Sequence, residues 1–246
     1  MSSPHSLRLD AHQHFWRYDA AAYPWIGRDM SGLRQDFTPD DLRPLLDAGG
    51  FDGCIAVQAR ACASETDQLL QLAQHYPWIR AVVGWVDLCA RDLEPSLERW
   101  AQAPMLRGFR HQLQDESSPA DFMQKPEFQR GLATLQRRGL VYEVLVKARD
   151  LGAVTELCQQ HDRHHLVLDH LGKPDVQAAD LKAWARQLAP LAALPHVSCK
   201  LSGLITEAHW QDWQSAQLTP YLHVALELFG PERLMYGSDW PVCLLA

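Results

Sequence analysis

The sequence predicts an α/β protein, a distorted (β/α)8 TIM barrel that lacks the final C-terminal helix. Three observations predict it. Eight short runs rich in apolar and β-branched residues recur along the 246 residues. Longer amphipathic segments separate them. Polar residues able to carry chemistry stand at the ends of most of these runs. Strands that alternate with helices pair in parallel, because parallel neighbours need a crossover. Eight such units close naturally into a barrel. A doubly wound open sheet is the runner-up, weakened because no Gly-x-Gly-x-x-Gly turn follows the first strand.

The first strand is read at 7–11 and runs into His12 and His14. Residues two apart on a strand share a face, so both imidazoles leave on one side. Residues 15–37 form a long loop rich in Trp, Tyr, Pro and Gly, which suggests an ordered wall over a site. The second strand, 53–57, leads to Gln58. Ser64 to Asp67 resembles a capping box that opens a helix carrying Leu69, Leu70, Leu72 and Ala73. The third strand is 80–86. The fourth, 105–110, delivers Arg110 and His111. Pro126 starts a helix with Phe128, Leu132 and Leu135 on one stripe, and Gly139 ends it. The fifth strand is 140–146, and the sixth, 165–170, ends in Asp169 and His170. A helix follows at 180–194. The seventh strand, 197–202, carries Lys200 and Ser202. A helix at 210–229 is expected to break or kink at Pro220. The eighth strand, 233–238, leads to Ser238 and Asp239. The sequence ends at Ala246, where a complete barrel would add an eighth helix. Either the chain is a fragment or something else covers strands one and eight. A bared apolar strip is therefore expected there.

Composition narrows the function classes. With 47% hydrophobic residues the chain can bury a large core, and no linker divides it, so one domain over 1–246 is expected. The net charge is −7 and the 23 Lys and Arg are scattered among acidic residues, which argues against nucleic acid as a partner. The six cysteines form no Cys-x-x-Cys pair, which argues for a reducing compartment and against a disulfide scaffold or zinc ribbon. Residues 1–8 lack a secretory segment, and no stretch approaches the roughly 20 apolar residues of a membrane span. A cytoplasmic protein without a membrane partner follows as the default. A homo-oligomer is left open.

In a TIM barrel the active site lies at the C-terminal strand ends. Strict alternation predicts that Leu166, Leu168 and His170 point inward while Asp169 points outward. It likewise places Met235, Gly237 and Asp239 inward. His12, His14, His170 and Asp239 form a sensible ligand set for one divalent ion such as zinc. The same groups can work without metal, with Asp239 as general base on water and the histidines and Arg110 polarising a carbonyl. Simpler readings exist for several residues. His75, His111 and His223 suit ordinary surface or core roles. Asp169 suits a backbone hydrogen bond, Arg110 a pairing with a carboxylate such as Glu143, and Lys200 a solvent-reaching side chain. No Gly-x-Ser-x-Gly elbow is present, Ser202 has no histidine near it in sequence, and residues 172–174 are not a phosphate loop.

Six segments together match a known family. They are Asp10-Ala11-His12-Gln13-His14-Phe15-Trp16; Tyr23-Pro24-Trp25 with Asp36-Phe37; Gly108-Phe109-Arg110-His111; Leu168-Asp169-His170-Leu171-Gly172-Lys173-Pro174; Cys199-Lys200-Leu201-Ser202-Gly203-Leu204; and Tyr236-Gly237-Ser238-Asp239-Trp240-Pro241. The chain resembles the amidohydrolase superfamily in its amidohydrolase-2 branch, among sugar lactone hydrolases of the L-fuconolactonase and L-rhamnonolactonase type. The resemblance implies a distorted barrel that opens a small sugar 1,4- or 1,5-lactone with water. By that likeness His12 and His14 match the first-strand pair, His170 the later-strand histidine, Asp239 the final-strand aspartate, and Arg110 an arginine that contacts substrate oxygens. Strand seven departs from the wider superfamily by offering Lys200 and Ser202 in place of a second late histidine. No bridging lysine stands on the middle strands either. One divalent ion, zinc by its ligand set, or none is thus implied rather than two. Trp16, Trp25, Gln58, Trp85 and Lys200 are expected to bind substrate. The rival expectations are a metal-dependent decarboxylase of an unsaturated or aromatic acid, a 2-pyrone-4,6-dicarboxylate lactonase-like hydrolase, and a non-catalytic sugar-acid binder.

Overall fold

The computed structural model describes residues 6–246; residues 1–5, part of the stretch read as lacking a secretory segment, lie outside it. Eight strands lie in one sheet in the order of the chain, every hydrogen-bonded pair parallel. They are β1 (Leu9–Gln13), β2 (Gly53–Val57), β3 (Ile79–Gly84), β4 (Leu106–His111), β5 (Val141–Val144), β6 (Leu166–Leu168), β7 (Val197–Leu201) and β8 (Leu234–Tyr236). All eight expected strands form. β1 begins and ends two residues later than expected, so His12 lies within the strand rather than beyond it.

The crossovers carry α1 (Pro39–Gly49), α2 (Ala63–His75), α3 (Leu93–Glu98), α4 (Pro119–Gln124), α5 (Pro126–Arg137), α6 (Leu151–Gln160), α7 (Leu181–Ala192) and α8 (Ser215–Phe229). α5 buries Phe128, Leu132 and Leu135, and Gly139 follows it in the left-handed region at φ 67°. Asp180 caps α7 by accepting the Ala183 N–H at 3.0 Å. Two expectations change. The capping box at Ser64 does not form: Cys62 is the N-cap residue of α2, and Glu65 instead turns back to accept the N–H groups of Ala59 and Arg60, each at 3.0 Å. α8 starts at Ser215 rather than Trp210 and runs through Pro220 without a break.

Closure of the barrel joins β1 to the segment after β8. His14 N–H donates to Trp240 O at 2.7 Å, and Asp239 N–H donates to His12 O at 2.8 Å. Below them the buried Asp10 carboxylate accepts Ser238 N–H at 2.9 Å, Ser238 Oγ–H at 2.5 Å and His12 N–H at 3.1 Å. A register irregularity between Asp10 and Gln13 marks a bulge in β1, the kind of feature that re-aims side chains at a barrel rim.

The loop from Phe15 to Phe37 is ordered, as its aromatics suggest. Trp16 and Phe37 exchange backbone hydrogen bonds at 3.0 and 2.8 Å. Their rings join Tyr23, Trp25 and Trp240 in edge-on and tilted contacts 5.3–5.8 Å apart. After β8 the described residues hold only a 3-10 turn, Val242–Leu245, and no α-helix. Leu7, two residues before β1, and Tyr236, the last residue of β8, are 55% and 51% exposed, and the Tyr236 ring stacks on Phe51 at 5.2 Å. All six cysteines are free thiols. Among the described residues no helix is long and apolar enough to cross a membrane.

Candidate active site

Three imidazoles converge on one carboxylate oxygen. Asp239 Oδ1 lies 3.3 Å from His14 Nε2, 3.8 Å from His12 Nε2 and 4.0 Å from His170 Nε2. All four side chains are buried. The neighbours decide which nitrogen faces inward. His14 Nδ1 is 2.9 Å from Val57 O, a pure acceptor, so Nδ1 carries a proton. In neutral His14 the Nε2 lone pair therefore faces Asp239, and a proton or a cation must bridge the two. His170 Nδ1 meets Ser202 Oγ at 2.9 Å, which holds its ring with Nε2 toward the carboxylate.

His12 is fixed from both sides. Arg110 Nη1 donates to its Nε2 at 3.0 Å, which leaves the proton of the neutral ring on Nδ1, 3.4 Å from Asp169 Oδ1. Lys200 Nζ stands 3.2 Å from the same Nδ1. Burial, reinforced by Lys200, holds His12 well below the usual histidine range. Burial also lowers His170 to about 4. Burial alone would raise Asp239, but attraction to His170, His14 and His12 outweighs it and keeps the carboxyl below its ordinary range. At neutral pH an ionised Asp239 thus faces neutral His12 and His170.

Beneath this cluster lies a buried ion network. Asp169 Oδ2 accepts from Arg110 Nη1 at 3.0 Å, and Asp169 Oδ1 lies 3.3 Å from Lys200 Nζ, which also donates to Glu143 Oε1. Asp169 points into the barrel, contrary to strict alternation. The chain leaves strand geometry after Leu168 for a 3-10 turn, Asp169–Gly172, with His170 at φ 52° and Leu171 at φ 54°. The period of two ends with the strand, so adjacent Asp169 and His170 both project inward. Arg110 pairs with Asp169, while Glu143 pairs with Lys200. Burial pushes Glu143 up to about 7 even against that lysine.

The mouth of the barrel opens into a cavity of about 260 Å³, near the small end for ligand pockets. His14, Arg110, His170, Asp239 and Trp25 line it. The other expected substrate contacts sit behind that wall. Trp16 turns into the aromatic cluster and donates Nε1–H to Gln35 O at 2.9 Å. Trp85 Nε1–H points to His111 Nδ1 at 3.4 Å. Gln58 is fully buried; its Oε1 accepts Arg110 Nε–H at 3.0 Å and Nη2–H at 2.8 Å, and its backbone carbonyl takes a further Nη2–H. Lys200 is fully buried in its ion pairs and does not reach solvent.

Several lining residues are not among the expected site residues, although Lys173 belongs to one of the matching segments. Gln112 and Gln114 lie just past β4, and Gln112 Nε2–H bonds Ala59 O at 3.2 Å. Lys173, Glu207 and Trp210 come from the loops after β6 and β7. Position beyond C-terminal strand ends is the cue that singles out the others.

The donor set fits a divalent ion. At zinc's bond lengths of about 2.0–2.2 Å, tetrahedral ligand atoms lie roughly 3.3–3.6 Å apart. The His14–Asp239 spacing of 3.3 Å matches, and those of His12 and His170 are a few tenths wider. His12 Nε2, His14 Nε2 and Asp239 form one such group, His12 by giving up its hydrogen bond from Arg110.

The family profile described as Amidohydrolase matches residues 9–246. An L-fucono-1,5-lactonase of Burkholderia multivorans is 52% identical over 98% of this chain and 84% of its own length. An L-fucono-1,5-lactonase of Burkholderia ambifaria is 35% identical over 98% of this chain and 82% of its own. A crystal structure of an amidohydrolase from Burkholderia multivorans with bound zinc superposes with a TM-score of 0.95 at 52% identity, covering 98% of this chain and 87% of that one. A match that begins in β1 and spans every strand, joined to relatives this similar over nearly their full shared length, places the chain in the amidohydrolase family.

Proposed function

We propose that this protein is a lactonase that opens a small sugar lactone of the L-fucono- or L-rhamnono-lactone type to the sugar acid. The observation that carries the reading is the convergence of His12, His14 and His170 on Asp239 Oδ1 at the wall of a small cavity. The relatives named L-fucono-1,5-lactonase support the substrate class.

Asp239, ionised at neutral pH, takes a proton from water as the water oxygen bonds to the lactone carbonyl carbon. The bond from that carbon to the ring oxygen then breaks, and the proton passes from Asp239 to the leaving oxygen. His170 and His14, each held through Nδ1, fix the carboxylate and the water beside it. Arg110 holds the His12 ring and places positive charge next to the developing oxyanion. His12, His14 and Asp239, with His170 adjacent, would hold one divalent ion, zinc by its ligand set. Bound there, the ion supplies Lewis acidity to the carbonyl or the water.

Proton release from a panel of aldonolactones, followed with a pH indicator, tests the reading. Turnover of L-fucono-1,5-lactone without carbon dioxide release is expected. Carbon dioxide release from an unsaturated or aromatic acid, with no lactone opened, would overturn it in favour of a decarboxylase.

A further inference from the structure

We propose that Glu207 sets the charge preference of the cavity. By neutralising Lys173 it leaves the cavity without a free lysine or arginine, so the site takes uncharged polyhydroxy lactones and rejects lactones that carry a carboxylate. The inference rests on the lactonase reading and assigns the charge class of its substrate.

Among the described residues that line the cavity, Arg110 and Lys173 are the lysine and arginine present. With His12 Nε2 accepting from it, Arg110 has nothing left to offer a ligand. A guanidinium has five N–H donors. Here one from Nε and one from Nη2 go to Gln58 Oε1, another from Nη2 to Gln58 O, and those of Nη1 to His12 Nε2 and Asp169 Oδ2. The expected contact between Arg110 and substrate oxygens would therefore cost an existing buried bond.

Lys173 is occupied differently. Its Nζ lies 2.9 Å from Glu207 Oε1, and the two side chains are 19% and 22% exposed. Its backbone is pinned: Lys173 N–H donates to His170 O at 2.8 Å, and Lys173 O accepts Ala148 N–H at 3.3 Å. It also sits in the left-handed region at φ 48°, which a lysine rarely adopts. The ammonium is thus presented from a fixed root, with Glu207 already on it. Asp115 and Asp239 add further carboxylates to the same wall. Outside the place where His12, His14 and Asp239 would hold an ion, a carboxylate on the lactone would meet Asp115 and Glu207 and no unpaired lysine or arginine. A neutral sugar lactone brings hydroxyl donors to the same carboxylates and meets the amide of Gln112.

The test compares kcat/KM for L-fucono-1,5-lactone and for D-glucaro-1,4-lactone, which carries a carboxylate. The proteins are the wild type, Glu207→Gln and Glu207→Gln/Lys173→Met. Glu207→Gln is expected to raise the ratio of charged to neutral turnover about tenfold, mainly through KM, because Lys173 gains a free charge-assisted hydrogen bond. Adding Lys173→Met is expected to abolish that gain. An unchanged ratio in Glu207→Gln, or a gain that survives the loss of Lys173, would overturn the proposal. Calorimetric binding of glucarate separates this failure from failure of the lactonase reading. If no lactone is opened, tighter glucarate binding by Glu207→Gln still supports the charge assignment, and unchanged binding overturns it.

Discussion

Each imidazole around Asp239 is held by a different partner: His14 by a backbone carbonyl, His170 by a hydroxyl, and His12 by Arg110 at Nε2, with Lys200 Nζ and the Asp169 carboxylate beside Nδ1. These supports fix the orientation of rings that would otherwise rotate, as second partners do around metal-binding and catalytic histidines. Glu65 plays a comparable part for the backbone just past β2. It accepts from Ala59 and Arg60, and Ala59 lines the cavity. Burial pushes its carboxyl from an ordinary 4.5 up to about 7. A raised folded-state value means that Glu65 contributes stability below about pH 4.5 that is lost as pH rises through about 7. Glu65→Gln lacks this titration. Thermal melts between pH 4.5 and 8 are expected to show wild type losing stability relative to Glu65→Gln by up to about 3 kcal/mol. A stability difference that does not vary with pH would contradict this.

The elements that build the site do so where they stop being regular. β6 ends after three residues, and the turn that follows turns both Asp169 and His170 inward. Asp239 likewise sits in the left-handed region, at φ 57°. Non-glycine residues held this way cost about 1–3 kcal/mol each and tend to mark functional positions. Gly203, after β7, supports the arrangement. It lies at φ 62°, and a Cβ there would fall 2.5 Å from His170 Nδ1. Gly203→Ala is therefore expected to lower stability by about 1–3 kcal/mol. By displacing His170 it should also reduce lactone turnover by about 100-fold. A thermal melt and a kcat measurement check both effects, and wild-type turnover would show that the His170 position is not required. The same irregularity explains what the sequence reveals and what it hides. The eight strands are legible from their apolar runs, and His12, His14 and Asp239 are legible from their chemistry and their place at or just past the C-terminal ends of β1 and β8. Asp169 is hidden because counting fails past Leu168. Trp16 and Trp85 read as pocket residues from their types, Gln58 and Lys200 from their types and their strand-end positions. Their partners, set by tertiary contacts, draw them behind the wall.

Across the whole molecule, seven crossovers bring residues from β1, β4 and the segments after β6 and β8 to one mouth. The seam between β1 and β8 matters most, since its hydrogen bonds set Asp239 against His12 and His14. Apolar side chains beside that seam, Leu7 and Tyr236, remain exposed. The charge plan is also a property of the whole. Arg110 is satisfied by residues of three different strands or strand ends, Gln58, His12 and Asp169, and so ties the histidine cluster to the ion network beneath it. In the proposed lactonase reaction this assembly activates water through Asp239 to open a sugar lactone. The most direct measurement is kcat for L-fucono-1,5-lactone in wild type and in Asp239→Asn, with folding checked by circular dichroism. Rapid turnover by the wild type and a loss of at least about 100-fold in a folded Asp239→Asn are expected. Wild-type turnover in that variant would contradict it.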